Sequence, residues 1–132
     1  MPVQVVRLGT ARHKDEGLRI GTVRRPPRGV KKSEYAIQDW YDVWLPEVAP
    51  SPALMKQAQE AKTEKEWSLF VKKYRRELSS PDKSRILILL SALSESSDFS
   101  IGCYCENQNH CHISVLRKVL EEHGALFKNG DE

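Results

Sequence analysis

The sequence has no long hydrophobic run, few aromatic residues and no strong excess of either charge. Its longest unbroken apolar stretch covers only residues 86–90, whereas a membrane-spanning helix needs roughly 20 apolar residues. The N-terminus lacks a basic start followed by an apolar stretch, so we expect no secretory signal. The content of 30% charged and 39% hydrophobic residues is typical of an ordered globular chain. We therefore expect a cytoplasmic protein that does not contact a membrane.

The length of 132 residues suits one domain with its own core. We expect this domain to span residues 1–132, with about the last eight residues frayed. Alternating or β-branched apolar residues predict strands at 3–9, 18–23 and 99–105, and a short strand or a packed loop at 40–46. Strands at both ends of the chain, separated by helices, indicate an α/β fold: a mostly parallel sheet of about four strands flanked by about four helices.

Capping signals predict where the helices begin. Serine–proline pairs at 51–52 and 80–81 and a capping-box pattern at 63–66 predict three helix starts. The spacing of apolar residues predicts a fourth helix over 111–123. The third helix is expected to bury a face made of Ile86, Leu89, Leu90 and Leu93. Large aromatic side chains are more often packed than exposed, so we also assign the tryptophans to the core: Trp40, Trp44 and Trp67.

The net charge of +3 is small, but the charges are unevenly distributed. Residues 1–32 hold nine basic and two acidic side chains, whereas residues 33–132 hold 12 basic and 16 acidic ones. A basic N-terminal third attracts anions such as phosphate or a nucleic-acid backbone; a solvated basic surface is the alternative. Arg24, Arg25 and Arg28 follow a predicted strand on a loop, where their guanidinium groups are suited to bind an anion.

All three cysteines fall within nine residues, at Cys103, Cys105 and Cys111. An odd number of clustered cysteines argues against a disulfide framework and favours reduced thiols with a local role. Cys111 is expected at a helix N-terminus, whose dipole lowers the pKa of a thiol and makes its sulfur nucleophilic. The neighbouring His110 or His112 would then act as a base or as a stabilising cation.

The same cluster allows two other interpretations. Alternation along the strand places Cys103 and Cys105 on one face, so that with Cys111 and one of the histidines, His112 or His110, they would form a Cys3His site for zinc or iron. The cysteines would otherwise be small buried core residues without a chemical role. The residues alone leave thiol chemistry, metal binding and simple packing open.

Several short motifs occur together in a fixed order. They are RPPRGV at 25–30, WLPEVAPS at 44–51 and FVKKYRREL at 70–78, followed by Cys105-Glu106 and Cys111-His112. Over about residues 20–123 the chain resembles the domain-of-unknown-function family 488, whose members are small bacterial and archaeal α/β proteins. Many members carry Cys-x-Glu followed by Cys-His-Arg, and this chain has Ile113 in place of that arginine. The resemblance makes Cys105, Glu106, Cys111 and His112 the best candidates for site residues.

These observations combine into one leading hypothesis and two alternatives. We expect an anion-binding cleft at the carboxyl ends of the strands, with Cys105 or Cys111 as a nucleophile or redox thiol. His112 would tune the thiol and Glu106 would orient a group or relay a proton. The substrate would be a nucleotide or a phosphorylated metabolite. The alternatives are a non-catalytic module with a structural metal and a nucleic-acid accessory protein that binds through residues 1–32.

Overall fold

Four parallel strands form one sheet in a computed structural model that describes residues 3–105 and 111–128. The strands are β1 (Val3–Arg7), β2 (Leu18–Gly21), β3 (Val43–Trp44) and β4 (Phe99–Cys103), and their order across the sheet is β1-β4-β2-β3. All five residues of β4 are buried, and β1 and β2 pair with it on either side, so β4 is a central strand of the sheet. The predicted α/β fold with a parallel sheet is therefore confirmed.

The helices of the described residues are α1 (Pro52–Glu60), α2 (Glu64–Leu78), α3 (Pro81–Leu93) and α4 (His112–Glu122), with short 3-10 helices at Lys32–Glu34 and Pro46–Val48. The capping box predicted for α2 is present: the Glu66 amide donates to the Thr63 hydroxyl, and the Glu66 carboxylate accepts from the Thr63 amide. Within the described ranges, none of these helices has the length and apolar character of a membrane span.

The predicted strand at 40–46 is reduced to the two residues of β3. Its pairing with β2 ends at Trp44, and Pro46 begins a 3-10 helix directly afterwards. Proline has no amide hydrogen to donate to a neighbouring strand, so it limits the extent of pairing there. Trp44 lies on this short edge strand and is 41% exposed, which corrects its assignment to the core.

The face that α3 buries differs from the predicted one. Leu87, Leu90 and Ser91 are buried, whereas Leu89 is 59% exposed and Leu93 is 40% exposed. The continuous apolar run at 86–90 offers several equivalent faces, so local spacing does not decide which one turns inward. Packing on α4 decides it, since the buried Ser91 hydroxyl contacts the Leu120 carbonyl oxygen at 3.4 Å.

Several arginines of the basic N-terminal third form ion pairs with acidic residues of the same protein. Arg19 is fully buried and forms a bidentate ion pair with the buried Glu16, which also accepts a hydrogen bond from Ser100. Arg12 pairs with Asp39 and Asp42. The predicted interaction of residues 1–32 with nucleic acid therefore depends on the remaining basic residues of this segment.

Part of the C-terminal segment that was expected to fray packs against β1. The Val3 amide donates to the Leu126 carbonyl at 2.7 Å, and the Lys128 amide donates to the Val3 carbonyl at 2.8 Å. The Arg117 guanidinium lies 4.9 Å from the centre of the Phe127 ring. These backbone hydrogen bonds place the described part of the segment beside the first strand.

Candidate functional site

The carboxyl ends of β1, β4 and β2 meet at one edge of the sheet, because all three strands are parallel and adjacent. Each strand delivers polar or reactive side chains to this edge: Arg7 from β1, Cys103 to Cys105 from β4, and the arginine loop at 24–28 after β2. Ligands of open α/β sheets bind beyond the carboxyl ends of the strands. A cleft lies at this edge in two parts, and Tyr104, Arg25 and Arg28 line both of them.

Three free thiols form a cluster on the α4 side of β4. Cys103 ends the strand and Cys111 is the N-cap residue of α4, and both are buried. Their sulfur atoms lie 2.8 Å apart, and the three sulfur atoms, including that of the half-buried Cys105, all lie within 4.8 Å of one another. The fold thus brings together cysteines that approach this edge from a strand and from a helix.

His112 is the first residue of α4 and is only 3% exposed. Its Nε2 lies 2.7 Å from the carbonyl oxygen of Thr22. Because a carbonyl oxygen only accepts, Nε2 must carry the hydrogen. Burial lowers the pKa of His112, which favours the neutral ring. Its Nδ1 then presents a lone pair toward the sulfur of Cys111, 3.7 Å away.

The three thiols favour different protonation states. Hydrogen bonds with Cys103, then with Cys111, lower the pKa of Cys105. Hydrogen bonding to Cys105 raises the pKa of Cys103 to about 12. Hydrogen bonds to Cys103 and Cys105, together with burial, raise the pKa of Cys111. At Cys111, where the sequence predicts a lowered pKa, hydrogen bonds and burial act in the opposite direction, and at Cys105 the hydrogen bonds favour the thiolate.

The thiol side of the cleft has a volume of about 550 Å³ and is called the Cys105 cleft here. Arg25 and Arg28 are exposed on its arginine loop. Arg24 also lines it, but the guanidinium of Arg24 donates to the carbonyl oxygens of Pro50 and Ala49, both at 3.0 Å. Arg24 thus ties the arginine loop to the segment before α1. Other lining residues are Val23, Pro52, Met55, Lys56, Gln59, Cys103, Tyr104, Cys105 and His112.

The second part, on the other side of Tyr104, has a volume of about 940 Å³ and is called the Trp40 cleft here. It is lined by Arg7, Leu8, Gly9, Thr10, Arg25, Pro26, Pro27, Arg28, Trp40 and Tyr104. The Trp40 ring lies so close to the backbone of Gly9 that a Cβ there would be 2.8 Å from a ring carbon. The assignment of Trp40 to the core therefore missed its place in a cleft wall.

The sequence analysis also missed Arg7 and Tyr104. The position of Arg7 at the end of the first predicted strand was a signal for it, since parallel neighbouring strands end at the same edge. For Tyr104 the signal was its place between Cys103 and Cys105, since alternation along the strand directs it to the opposite face. Glu106 and His110, both candidates from the sequence, lie outside the described residues.

The cluster has some of the donors that a metal site needs. Three cysteine sulfurs within 4.8 Å of one another are suited to Zn²⁺ or iron. The bond from His112 Nε2 to the Thr22 carbonyl is the outer contact that orients a ligating histidine through its other nitrogen. The sulfur atoms of Cys103, Cys105 and Cys111 would hold such an ion; the predicted fourth ligand, His112 Nδ1, lies 3.7 Å from the Cys111 sulfur but is not part of this group of donors.

A family model described as "Active DUF488-N3 subclade" matches residues 3–124 of the chain. This match covers β1 to α4, including the cysteine cluster and both clefts. No curated protein and no solved structure matches the chain.

Proposed function

The chain belongs to the DUF488 family, and on that premise we propose that it is a thiol-dependent enzyme in which Cys105 attacks a substrate that carries a phosphate or a similar anionic group. In that step the sulfur of Cys105 forms a bond to an electrophilic atom of the substrate while the bond from that atom to the leaving group breaks, and the leaving group departs with the bonding electrons and takes a proton from solvent. The observation that carries the proposal is the position of Cys105 in a cleft with Arg25 and Arg28. A nucleophile needs access to substrate, and Cys105 is the half-buried member of a cluster whose other two thiols are buried. The description of the matching subclade as active agrees with a catalytic role.

The two buried thiols are hydrogen-bonding partners that favour the thiolate form of Cys105. A thiolate is the reactive form of cysteine, and hydrogen bonds to the charged form favour it. Cys103 and Cys111 both favour the protonated state, so each can donate to the Cys105 sulfur. The single thiol hydrogen of Cys111 then points to Cys105, and His112, whose Nδ1 lies 3.7 Å from the Cys111 sulfur, packs beside this donor and fixes its position. In this proposal, His112 and Cys111 are positioning residues, and of the two thiols predicted as nucleophile, Cys105 or Cys111, Cys105 is the one that attacks.

The arginine loop supports the binding of an anion beside the thiolate. Arg25 and Arg28 are exposed, and both line the Cys105 cleft. Guanidinium groups bind phosphate or carboxylate through paired hydrogen bonds. Such an anion would place the rest of the substrate within reach of Cys105. The loop would also supply the positive charge that this chain lacks at Ile113, where many family members have an arginine.

Alkylation of each cysteine by iodoacetamide between pH 5 and 9, with mass-spectrometric readout, tests the nucleophile. We expect Cys105 to react at least about tenfold faster than Cys103 or Cys111 at pH 7, with a titration midpoint well below the ~8.5 of a free thiol. Equal rates at the three cysteines, or a midpoint at 8.5 or higher for Cys105, would exclude Cys105 as an activated nucleophile.

The anion is tested with inorganic phosphate as the probe in the same assay. Phosphate should slow the alkylation of Cys105, and Arg28→Ala should raise the phosphate concentration required by about tenfold. Arg85→Ala is the matched control, because Arg85 is 78% exposed on α3 and belongs to neither cleft. A phosphate effect that is absent, or the same in both variants, would contradict anion binding by the arginine loop.

A second candidate function, a structural metal site, is favoured by the separation of the sulfur atoms and the orientation of His112. It predicts stoichiometric zinc or iron in protein purified without added metal, and loss of that ion in Cys105→Ser. Fully folded wild-type protein without a transition metal would exclude it and leave the thiol proposal in place.

A further inference from the structure

The walls of the Trp40 cleft are flat and apolar. The Nε1 atom of Trp40 is buried and has no hydrogen-bond partner among the described residues, so the part of Trp40 that lines the cleft is hydrocarbon. The Tyr104 hydroxyl donates to the Arg25 carbonyl at 2.8 Å, which fixes the ring. The two ring centres are 5.9 Å apart at an interplanar angle of 74°. Leu8, Pro26 and Pro27 add further apolar surface.

The rim of the Trp40 cleft is cationic. Arg7, Arg25 and Arg28 are exposed and line it, and the Nε of Arg7 donates to the Tyr104 carbonyl at 3.3 Å. No Asp or Glu is among the lining residues of the described chain. A ligand that matches this cleft has a flat apolar part for the aromatic walls and a negative group for the rim.

Arg25 and Arg28 line both clefts. An anion bound between these two guanidinium groups therefore lies at the boundary of the two clefts, with Cys105 on one side and Trp40 on the other. A sugar phosphate without an aromatic ring would leave the aromatic walls in contact with water. An aromatic ring without a negative group would leave the arginines without an anion to bind. A heterocyclic base joined to a phosphate uses both.

We propose that the Trp40 cleft binds the base of a nucleoside phosphate whose phosphate lies between Arg25 and Arg28. The inference rests on the proposed function, because that phosphate is the anion placed beside Cys105, and it names the substrate class as a nucleotide. The face of the base stacks on one of the two rings, Trp40 or Tyr104, and its edge meets the other, because the rings stand at 74° to each other. The volume of about 940 Å³ lies in the usual range of ligand sites, roughly 300–1,000 Å³.

A truncation series of ligands on the wild-type protein tests this assignment without any variant. Dissociation constants are measured by calorimetry for AMP, GMP, CMP and UMP, for ribose 5-phosphate, and for the nucleoside of the tightest binder. At least one nucleotide should bind at least about tenfold more tightly than ribose 5-phosphate and more tightly than its own nucleoside. Nucleotide and ribose 5-phosphate affinities within twofold of each other would overturn the proposal.

Variants at the wall then locate the base. Trp40→Leu should remove most of the preference for the nucleotide over ribose 5-phosphate, while Trp40→Phe, which keeps a ring, should retain most of it. A preference that survives Trp40→Leu in folded protein would place the base elsewhere and overturn the assignment of this cleft. Should Trp40→Leu not fold, Tyr104→Leu measured against Tyr104→Phe makes the same comparison at the other wall.

The alkylation rate of Cys105 without any ligand separates the two proposals. A fast Cys105 together with equal affinities for nucleotides and ribose 5-phosphate would overturn the nucleotide assignment and leave the thiol enzyme standing. A slow Cys105 together with strong nucleotide preference would overturn the thiol mechanism and support the Trp40 cleft as a nucleotide site.

Discussion

Cys103, Cys105 and Cys111 show how neighbours divide one chemical role among identical side chains. The two buried thiols favour their protonated forms and donate, and the half-buried Cys105 favours the thiolate. The same division applies to the arginines, because Arg24 is bonded to backbone carbonyls while Arg25 and Arg28 are exposed in the clefts. At the residue scale, the environment and not the residue type decides which side chain is available to a substrate.

Removing the donor at position 103 should raise the pKa of Cys105. Cys103→Ala deletes the hydrogen bond that contributes most to the lowered pKa of Cys105, so its alkylation midpoint should move upward toward that of a free thiol. Cys103→Ser keeps a donor of similar size and should keep most of the lowering. An unchanged midpoint in Cys103→Ala would show that Cys103 does not activate Cys105.

The buried pair of Glu16 and Arg19 should make stability dependent on pH in the acid range. Burial by itself would raise the pKa of Glu16, but hydrogen bonds from Arg19, the His13 amide and Ser100 together lower it below its ordinary value of 4.5. A carboxylate with a lowered pKa stabilises the fold above that ordinary value, and the contribution is lost as pH falls through the lower folded-state pKa.

Glu16→Gln should therefore lower the free energy of unfolding by about 3 kcal/mol at pH 7, because it leaves the Arg19 charge buried without its partner. The difference between wild type and variant, measured by urea unfolding, should shrink as pH falls below 4.5. Arg85→Gln, in the exposed pair with Asp82, should change stability little. A pH-independent difference would contradict the role given to this ion pair.

At the scale of elements, the helix starts illustrate two ways of satisfying free backbone amides. α2 uses a complete capping box between Thr63 and Glu66. α3 begins with proline after Ser80, and the Ser80 side chain makes no capping hydrogen bond. Proline at the first helical position has no amide hydrogen to satisfy and has a φ angle suited to a helix, so α3 depends less on its N-cap side chain.

Substitution of the two N-cap residues should therefore have unequal effects. Thr63→Ala should destabilise the protein by about 1 kcal/mol, since the Glu66 amide loses its acceptor. Ser80→Ala should have a much smaller effect, because it removes no side-chain bond. Chemical unfolding of both variants checks this, and equal losses would show that the capping box contributes nothing specific.

At the scale of the whole molecule, the two ends of the described chain lie together. Val3 donates to Leu126 and accepts from Lys128, which continues the parallel pattern at the outer edge of β1. This segment covers a strand edge that would otherwise offer unpaired backbone groups to other chains.

Hydrogen exchange at these amides tests the docking of the C-terminal segment. The amides of Val3 and Lys128 should exchange at least about tenfold more slowly than in an unstructured peptide, because both donate to backbone carbonyls. The Ile101 amide in the buried central strand serves as a protected reference. Exchange at peptide rates for both Val3 and Lys128 would indicate that the segment frays as first expected.

The sequence by itself determined the α/β class, the starts of the helices and the concentration of reactive residues at strand ends. These features depend on side-chain spacing and capping within a few residues, which a linear pattern records. The starts of α1, α2 and α3 at Pro52, Glu64 and Pro81 follow their predicted caps. The face of α3 was not determined in this way, because a continuous apolar run has no unique inward side.

Only the tertiary structure decided which candidates share a site and what state each favours. The partner of His112 is Thr22, 90 residues away in the chain, and Tyr104 contacts Trp40 and Arg25 from distant segments. Burial, hydrogen bonding and therefore thiol pKa depend on such contacts, which no local pattern contains. For that reason the sequence left Cys105 and Cys111 both open as the reactive thiol, whereas the hydrogen bonds of the folded protein lower the pKa of Cys105 and raise that of Cys111. The tertiary structure also places Trp40 in the wall of a cleft.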